Sequence, residues 1–130
     1  MGILLDTLFL YWLMQDRSAV ERLLGRQRVP PVVSVVSLWE MRLKHQSLRP
    51  SGERKSPHDP AAVLQALEDL RTPVLGMEAG DVMHPLVPLL AHRDPFDELL
   101  LCQAQRRNLR LATTDGKLLE HPGAIRLPGT

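Results

Sequence analysis

Along the chain, short apolar runs alternate with amphipathic stretches, and several of the apolar runs are closed by an acid. Ile3-Leu4-Leu5 reads as a buried strand ending at Asp6. Helical spacing of apolar residues follows over 8–14 and again over about 18–27, where Ser18 and Glu21 offer a capping-box start. Pro30-Pro31 breaks the chain, and the β-branched run 32–36 suits a central strand. Ser37-Leu38-Trp39-Glu40 opens a helix to about Gln46, with Glu40 in its first turn. Residues 49–60 (RPSGERKSPHDP) lack periodicity and read as a flexible loop ending near Asp59. Asp59 as N-cap and Pro60 in the first turn start a helix to about Leu70.

A third strand is expected over 73–77, then a helix kinked or broken by Pro85 and Pro88. Asp94-Pro95 restarts a helix through Arg107, residues 109–113 form a fourth strand, and 124–127 a possible fifth. Strands separated by helices predict an α/β fold with a mainly parallel sheet covered on both faces. Ligands in such sheets bind at the carboxyl ends of the strands.

Composition narrows the picture little. At 130 residues and 44% hydrophobic, the chain suits a single domain with a core of its own. The lone Cys102 excludes an internal disulfide, and no apolar run approaches the roughly 20 residues of a membrane span. The apolar N-terminal stretch is interrupted by Asp6 and has no basic segment before it, so a signal peptide is not expected and a cytoplasmic location is. With a net charge of +1, any phosphate binding must come from local placement of charge.

The acids are the informative feature. Asp6 follows strand one, Glu40 lies just past strand two, and Asp115 lies just past strand four, so these three point to one sheet edge. Asp94 and Asp97 open the helix leading into strand four and join that edge if the helix starts there. Each acid also has a structural explanation. Ser37 and Glu40 fit a capping box, Asp94-Pro95-Phe96-Asp97 fits a helix start, and Asp115-Gly116 fits a turn. Asp6 is hardest to dismiss, because an acid set against an apolar run is costly unless used. Gathered carboxylates repel one another unless a cation compensates them, and Mg²⁺ or Mn²⁺ suits an all-oxygen donor set. His45, His58, His84, His92 and His121 are scattered singly and make no zinc spacing.

At these residues the chain resembles PIN-domain proteins of the VapC type, the ribonuclease toxins of VapBC toxin–antitoxin pairs. LLDTLFLYWL at 4–13, VSVVSLWEMRLKH at 33–45 and HRDPFDELLLCQAQRRNLRLATTD at 92–115 carry the resemblance, in the family's order and over more than half of the chain. It implies an α/β/α sandwich with about four or five strands. It also implies acids binding Mg²⁺ or Mn²⁺ and an RNA substrate, with an antitoxin partner, a homodimer and no membrane association. The family's acids fall on Asp6, Glu40, Asp97 and Asp115, with Asp6 and Asp97 as direct metal ligands and Glu40 and Asp115 binding directly or through water. Asp97 is taken over Asp94 for its distance before the turn position at Asn108, which leaves Asp94 as a cap near the site. Thr7, Ser37 and Thr114 are hydroxyls suited to orienting carboxylates or water. Arg42, Lys44 and Arg93 are candidate RNA contacts.

The chain departs from the family pattern in two places. Leu8 stands where a polar residue often follows the Asp-Thr pair, and the loop at 49–60 is longer and more basic than expected, a solvated loop or an RNA or partner contact. A catalytically silent RNA- or partner-binding module of the same fold is the alternative. Other doubly wound readings lack their motifs. Leu8 occupies the second acid of a DxD phosphatase, the first turn has no glycine-rich dinucleotide loop, and no G-x-S-x-G elbow is present.

Overall fold

The computed structural model describes residues 2–92 and 94–130. The elements run β1 (Gly2–Leu5), α1 (Thr7–Gln15), α2 (Arg17–Gly25), β2 (Val33–Ser34), α3 (Val35–Gln46), α4 (Pro60–Asp69), β3 (Val74–Leu75), α5 (Ala79–Met83), α6 (Pro95–Arg106), β4 (Leu109–Ala112), α7 (Gly116–Leu119) and β5 (Ala124–Ile125). Parallel ladders join β1 to β4, β4 to β5 and β2 to β3. A parallel bridge between Leu4 and Val32 connects the two groups, with Leu5 N–H donating to Val32 O and Val32 N–H to Ile3 O, both at 2.9 Å. The strands therefore follow the order β3-β2-β1-β4-β5, all parallel, and the strand order switches direction between β1 and β4.

Successive side chains on a strand face opposite sides, and the core divides accordingly. Leu5 and Ala112 pack with Phe9, Leu10, Val20 and Leu67 on one face, whereas Leu4 and Leu111 pack with Leu100, Leu101 and Leu118 on the other. This is the expected three-layer α/β/α arrangement, with a smaller sheet than the sequence suggested. β2 and β3 have two residues each. The β-branched run 32–36 does not stay extended, because the Ser34 hydroxyl accepts from Val36 N–H at 3.1 Å and starts α3 there. A local cap thus overrides strand propensity. Glu40 consequently lies in the second turn of α3, and Ser37 is not its cap.

Of the other helix starts, α2 differs from expectation, whereas α4 and α6 begin where the sequence placed them. Asp16, rather than Ser18, caps α2 through Ala19 N–H. Asp59 caps α4 and Asp94 caps α6, each followed by proline at the first helical position. Between Pro73 and Pro95 the described helix is confined to five residues, Ala79–Met83, and residues 84–92 form no helix or strand. The segment expected to be a flexible loop carries no named element but folds back on the end of α3. Leu48 bridges Arg54 in antiparallel fashion, Arg49 N–H donates to Glu53 O, and Lys55 N–H donates to Ser47 O. Phe9 is core, and Tyr11, Trp12 and Met14 pack partly buried against it. Among the described residues no helix is long and apolar enough to cross a membrane.

Asp81 fastens α5 to α6. Its carboxylate is fully buried and accepts from Arg107 Nη2 at 2.6 Å, Arg106 Nη1 at 2.9 Å and Glu78 N–H at 2.9 Å. The Arg107 guanidinium, aided by the Glu78 amide and Arg106, holds Asp81 well below the usual carboxylate range against the opposing effect of burial. Asp81→Ala should destabilise the fold by about 2–3 kcal/mol, less than a wholly buried pair, because both guanidinia keep access to water. A carboxylate whose folded pKa is depressed contributes stability that is complete above its unfolded pKa of about 3.9 and is lost as pH falls below it. Urea denaturation at pH 7 and pH 3 should therefore show the variant's deficit shrinking at the lower pH.

Candidate functional site

Asp6 stands where β1 gives way to α1. It caps the helix, with Oδ1 accepting from Thr7 N–H at 2.7 Å, and its side chain is buried. The β1–β4 register sets Leu5 beside Ala112, which brings the next residues, Asp6 and Thr113, together. Thr113 Oγ1 donates to Asp6 Oδ2 at 2.8 Å and accepts from Asp115 N–H at 3.0 Å. Burial pushes the Asp6 pKa up to about 6, and the charges of Asp97 and Glu40 add to the rise, while Thr113 and the Thr7 amide oppose it.

Glu40 reaches the same place from α3. Its Oε1 accepts from Thr7 Oγ1 at 2.8 Å, and Thr7 Oγ1 lies 2.9 Å from Ser37 Oγ, so Ser37, Thr7 and Glu40 form a buried chain. Glu40 Oε2 accepts from Lys44 Nζ at 2.8 Å, one helical turn on. Burial disfavours the Lys44 ammonium, but Glu40, with Tyr11 and Asp94 behind it, outweighs that and raises its pKa.

Asp97 arrives from the first turn of α6. A helix that returns the chain to a parallel strand must begin at the carboxyl edge of the sheet, which places the start of α6 beside Asp6 and Glu40. Asp94 serves as the cap, its Oδ1 accepting from Phe96 N–H at 2.9 Å and Asp97 N–H at 3.2 Å. Asp97 Oδ2 meets His92 Nε2 at 3.0 Å. Burial raises the Asp97 pKa, the charges of Asp94 and Glu40 raise it further, and His92 works against them.

Asp6, Glu40 and Asp97 are thus within electrostatic reach of one another, and Thr7, Ser37 and Lys44 stand beside them. The remaining candidates are placed differently. Asp115 is exposed and caps α7 through Lys117 N–H, tied to Asp6 through Thr113 alone. Thr114 lines a groove with Leu8, Trp12 and Thr130 and makes no hydrogen bond to an acid among the described residues. Arg42 lines a separate groove between α3 and α4, beside Trp39 and Leu64. Arg93 lies outside the described residues. Sequence reasoning missed Thr113 and His92. Two adjacent threonines precede Asp115, and the strand register alone selects the first; His92 needed the fold of the segment before Asp94.

Among the described residues no three His, Cys, Asp or Glu side chains are clustered tightly enough to hold an ion between them as they stand. The donor chemistry nevertheless fits Mg²⁺ or Mn²⁺. The oxygens are hard, the charges of Asp97 and Glu40 act on Asp6, and Mg²⁺ takes one or two carboxylates while keeping most of its waters.

The PIN domain family model matches residues 3–124. The chain belongs to the PIN-domain family. Solved structures share the fold of this PIN domain over nearly its whole length. A toxin–antitoxin complex from Klebsiella pneumoniae has a TM-score of 0.66 at 17% identity, covering 95% of this chain and 96% of that one. VapBC2 from Rickettsia felis, bound to a DNA fragment from its promoter, has 0.63 at 16%, covering 97% of each chain. DNA-bound VapBC from Salmonella typhimurium has 0.62 at 20%, covering 98% and 97%. No curated protein matches the sequence of this PIN domain.

Thr113→Val removes the only side-chain donor to Asp6 Oδ2 among the described residues without changing side-chain shape. It should cost about 1–3 kcal/mol in urea denaturation at pH 7. The cost should be smaller at pH 4.5, where Asp6 is protonated and depends less on a donor.

Proposed function

We propose that this chain is a metal-dependent endoribonuclease, the toxin component of a VapBC-type toxin–antitoxin pair. The observation that carries this reading is the convergence of Asp6, Glu40 and Asp97 at the carboxyl edge of the sheet, with Asp6 buried and its pKa pushed up to about 6 by burial and like charge. Strongly perturbed acids gathered in this way mark functional sites more often than structural ones. Family membership and toxin–antitoxin complexes among the structural neighbours support the same conclusion.

Asp6 and Asp97 would hold Mg²⁺ or Mn²⁺ directly, and Glu40 and Asp115 directly or through water. When bound, the ion would supply charge neutralisation at the phosphodiester and a lowered pKa for a water nucleophile. The chain's own groups set the stage. Thr113 and the Thr7 amide fix both oxygens of Asp6. The Thr7 hydroxyl fixes one oxygen of Glu40, and His92 orients Asp97. Lys44 offsets the negative charge that would otherwise repel RNA. An antitoxin and a second copy of the chain are the partners in this reading, and Val82, Met83, Val87 and Leu89 leave apolar surface available to partners. The same fold without cleavage, as an RNA-binding module, is the second reading. It is favoured by the Lys44 ammonium seated on Glu40 and by the separate position of Asp115.

Purified protein should cut a mixed RNA pool with Mg²⁺ or Mn²⁺ and stop in EDTA. Asp6→Asn and Asp97→Asn should each lower the rate by about 10²–10³-fold or more, the equivalent of several kcal/mol of transition-state stabilisation, with circular dichroism unchanged. Full activity in folded Asp6→Asn, or in EDTA, would overturn the assignment. Metal-loaded protein that binds the pool without cutting it would favour the second reading.

A further inference from the structure

The end of α3 and the segment after it form a structure that the acids do not use. The C-cap Ser47 N–H closes α3 onto Leu43 O at 3.0 Å, and Arg54 Nη1, from the returning chain, donates to His45 O in the last turn. Gly52, with φ of +87°, makes the turn, and Ser56 N–H closes the loop onto Lys44 O at 3.2 Å. Arg49 and Lys55 are thereby set on fixed backbone rather than on a free loop. Together with Lys44 and Pro50 they line a cavity of about 560 Å³.

Three cations and no acid line this cavity, in a chain whose net charge is only +1. Among the described residues neither Arg49 nor Lys55 pairs with a carboxylate, so their charges are available to a ligand. Lys44 is the link to the acid site. Of its three ammonium donors one is used by Glu40, and its side chain remains 45% exposed. Glu40 lies four residues before it, roughly 6 Å along the helix axis. The basic cavity therefore begins where the acid cluster ends. A strand whose phosphate sits at the acids carries its neighbouring phosphates outward at short intervals, and each approaches a protein surface that is negative at the centre. Positive charge beside that centre is what such a strand requires.

We propose that the cavity formed by Lys44, Arg49 and Lys55 holds the sugar–phosphate backbone of single-stranded RNA next to the phosphate being cleaved. This deepens the nuclease reading and rests on it. Arg49 and Lys55 are binding residues that read no base, so they set affinity and strand direction without selecting sequence. An acidic protein segment presents carboxylates to the same cations and is the rival occupant.

The test is binding, separated from cleavage by the Asp6→Asn background. The affinity of a fluorescently labelled single-stranded RNA is measured across salt concentrations for Asp6→Asn and for Asp6→Asn carrying Arg49→Gln and Lys55→Gln. Both altered side chains are exposed, and circular dichroism verifies the fold. The added substitutions should weaken binding by about tenfold or more at low salt. They should also flatten the plot of log affinity against log salt by roughly 0.7 for each phosphate that is no longer neutralised. Equal affinities and slopes would overturn the proposal while leaving the nuclease reading intact. Loss of binding to a polyglutamate peptide with RNA binding unchanged would overturn it in favour of an acidic protein segment. Failure of the Asp6→Asn parent itself to bind RNA would overturn the proposal, because the three cations alone would then not hold the strand, and would leave the nuclease reading to the cleavage assay.

Discussion

A carboxylate set at the end of an apolar strand and kept out of water is the constraint around which this molecule is arranged. Asp6 gives one oxygen to the start of α1 and the other to Thr113, so two neighbouring strands and a helix all depend on its position. Two hydrogen bonds do not offset burial beside Asp97 and Glu40, and its pKa is pushed up to about 6. At neutral pH the group is still mostly ionised, and the folded chain therefore carries an unfavourable charge at its centre. Lys44 and His92 moderate the neighbours, Glu40 and Asp97, but neither side chain touches Asp6. A divalent ion among these oxygens would remove the remaining repulsion.

The contrast with Asp81 is instructive. Both aspartates are buried, yet their environments drive them in opposite directions. Asp81 is met by two guanidinia and a backbone amide, and its charge is wholly answered within the fold. That is the pattern of a structural ion pair, and it ties α5 to the same α6 whose first turn carries Asp97. Asp6 is met by a hydroxyl, an amide and two like charges. One aspartate stabilises the frame, and the other is kept at the frame's expense, which is the distribution expected when the second serves chemistry.

Much of this was legible in the chain. The apolar run closed by Asp6, the prolines behind Asp59 and Asp94, and the apolar run before Asp115 each reported a local event with a local cause. Asp97 could also have been placed from topology, because a crossover helix in a parallel sheet starts at the carboxyl edge. Propensity misled over 32–36, where a serine cap turned a β-branched run into the start of α3 and moved Glu40 into the second turn. Thr113 was hidden because choosing between two adjacent threonines needs the register of β4 against β1. His92 was hidden because the sequence between Met83 and Asp94 has no periodic signal. Arg42 and Lys44 looked equivalent by composition, but a half-turn of helix separates the groove beside Trp39 from the acids.

Thermal unfolding is the direct test of whether Asp6 is strained by uncompensated charge that a divalent cation relieves. Wild-type protein and Asp6→Asn are melted at pH 7.5 in EDTA and then with Mn²⁺. In EDTA the variant should melt higher than wild type, by about 3 °C or more for each kcal/mol of repulsion removed. Mn²⁺ should raise the wild-type Tm and leave the variant's nearly unmoved. A variant that melts below wild type in EDTA, together with a wild type indifferent to Mn²⁺, would contradict the account.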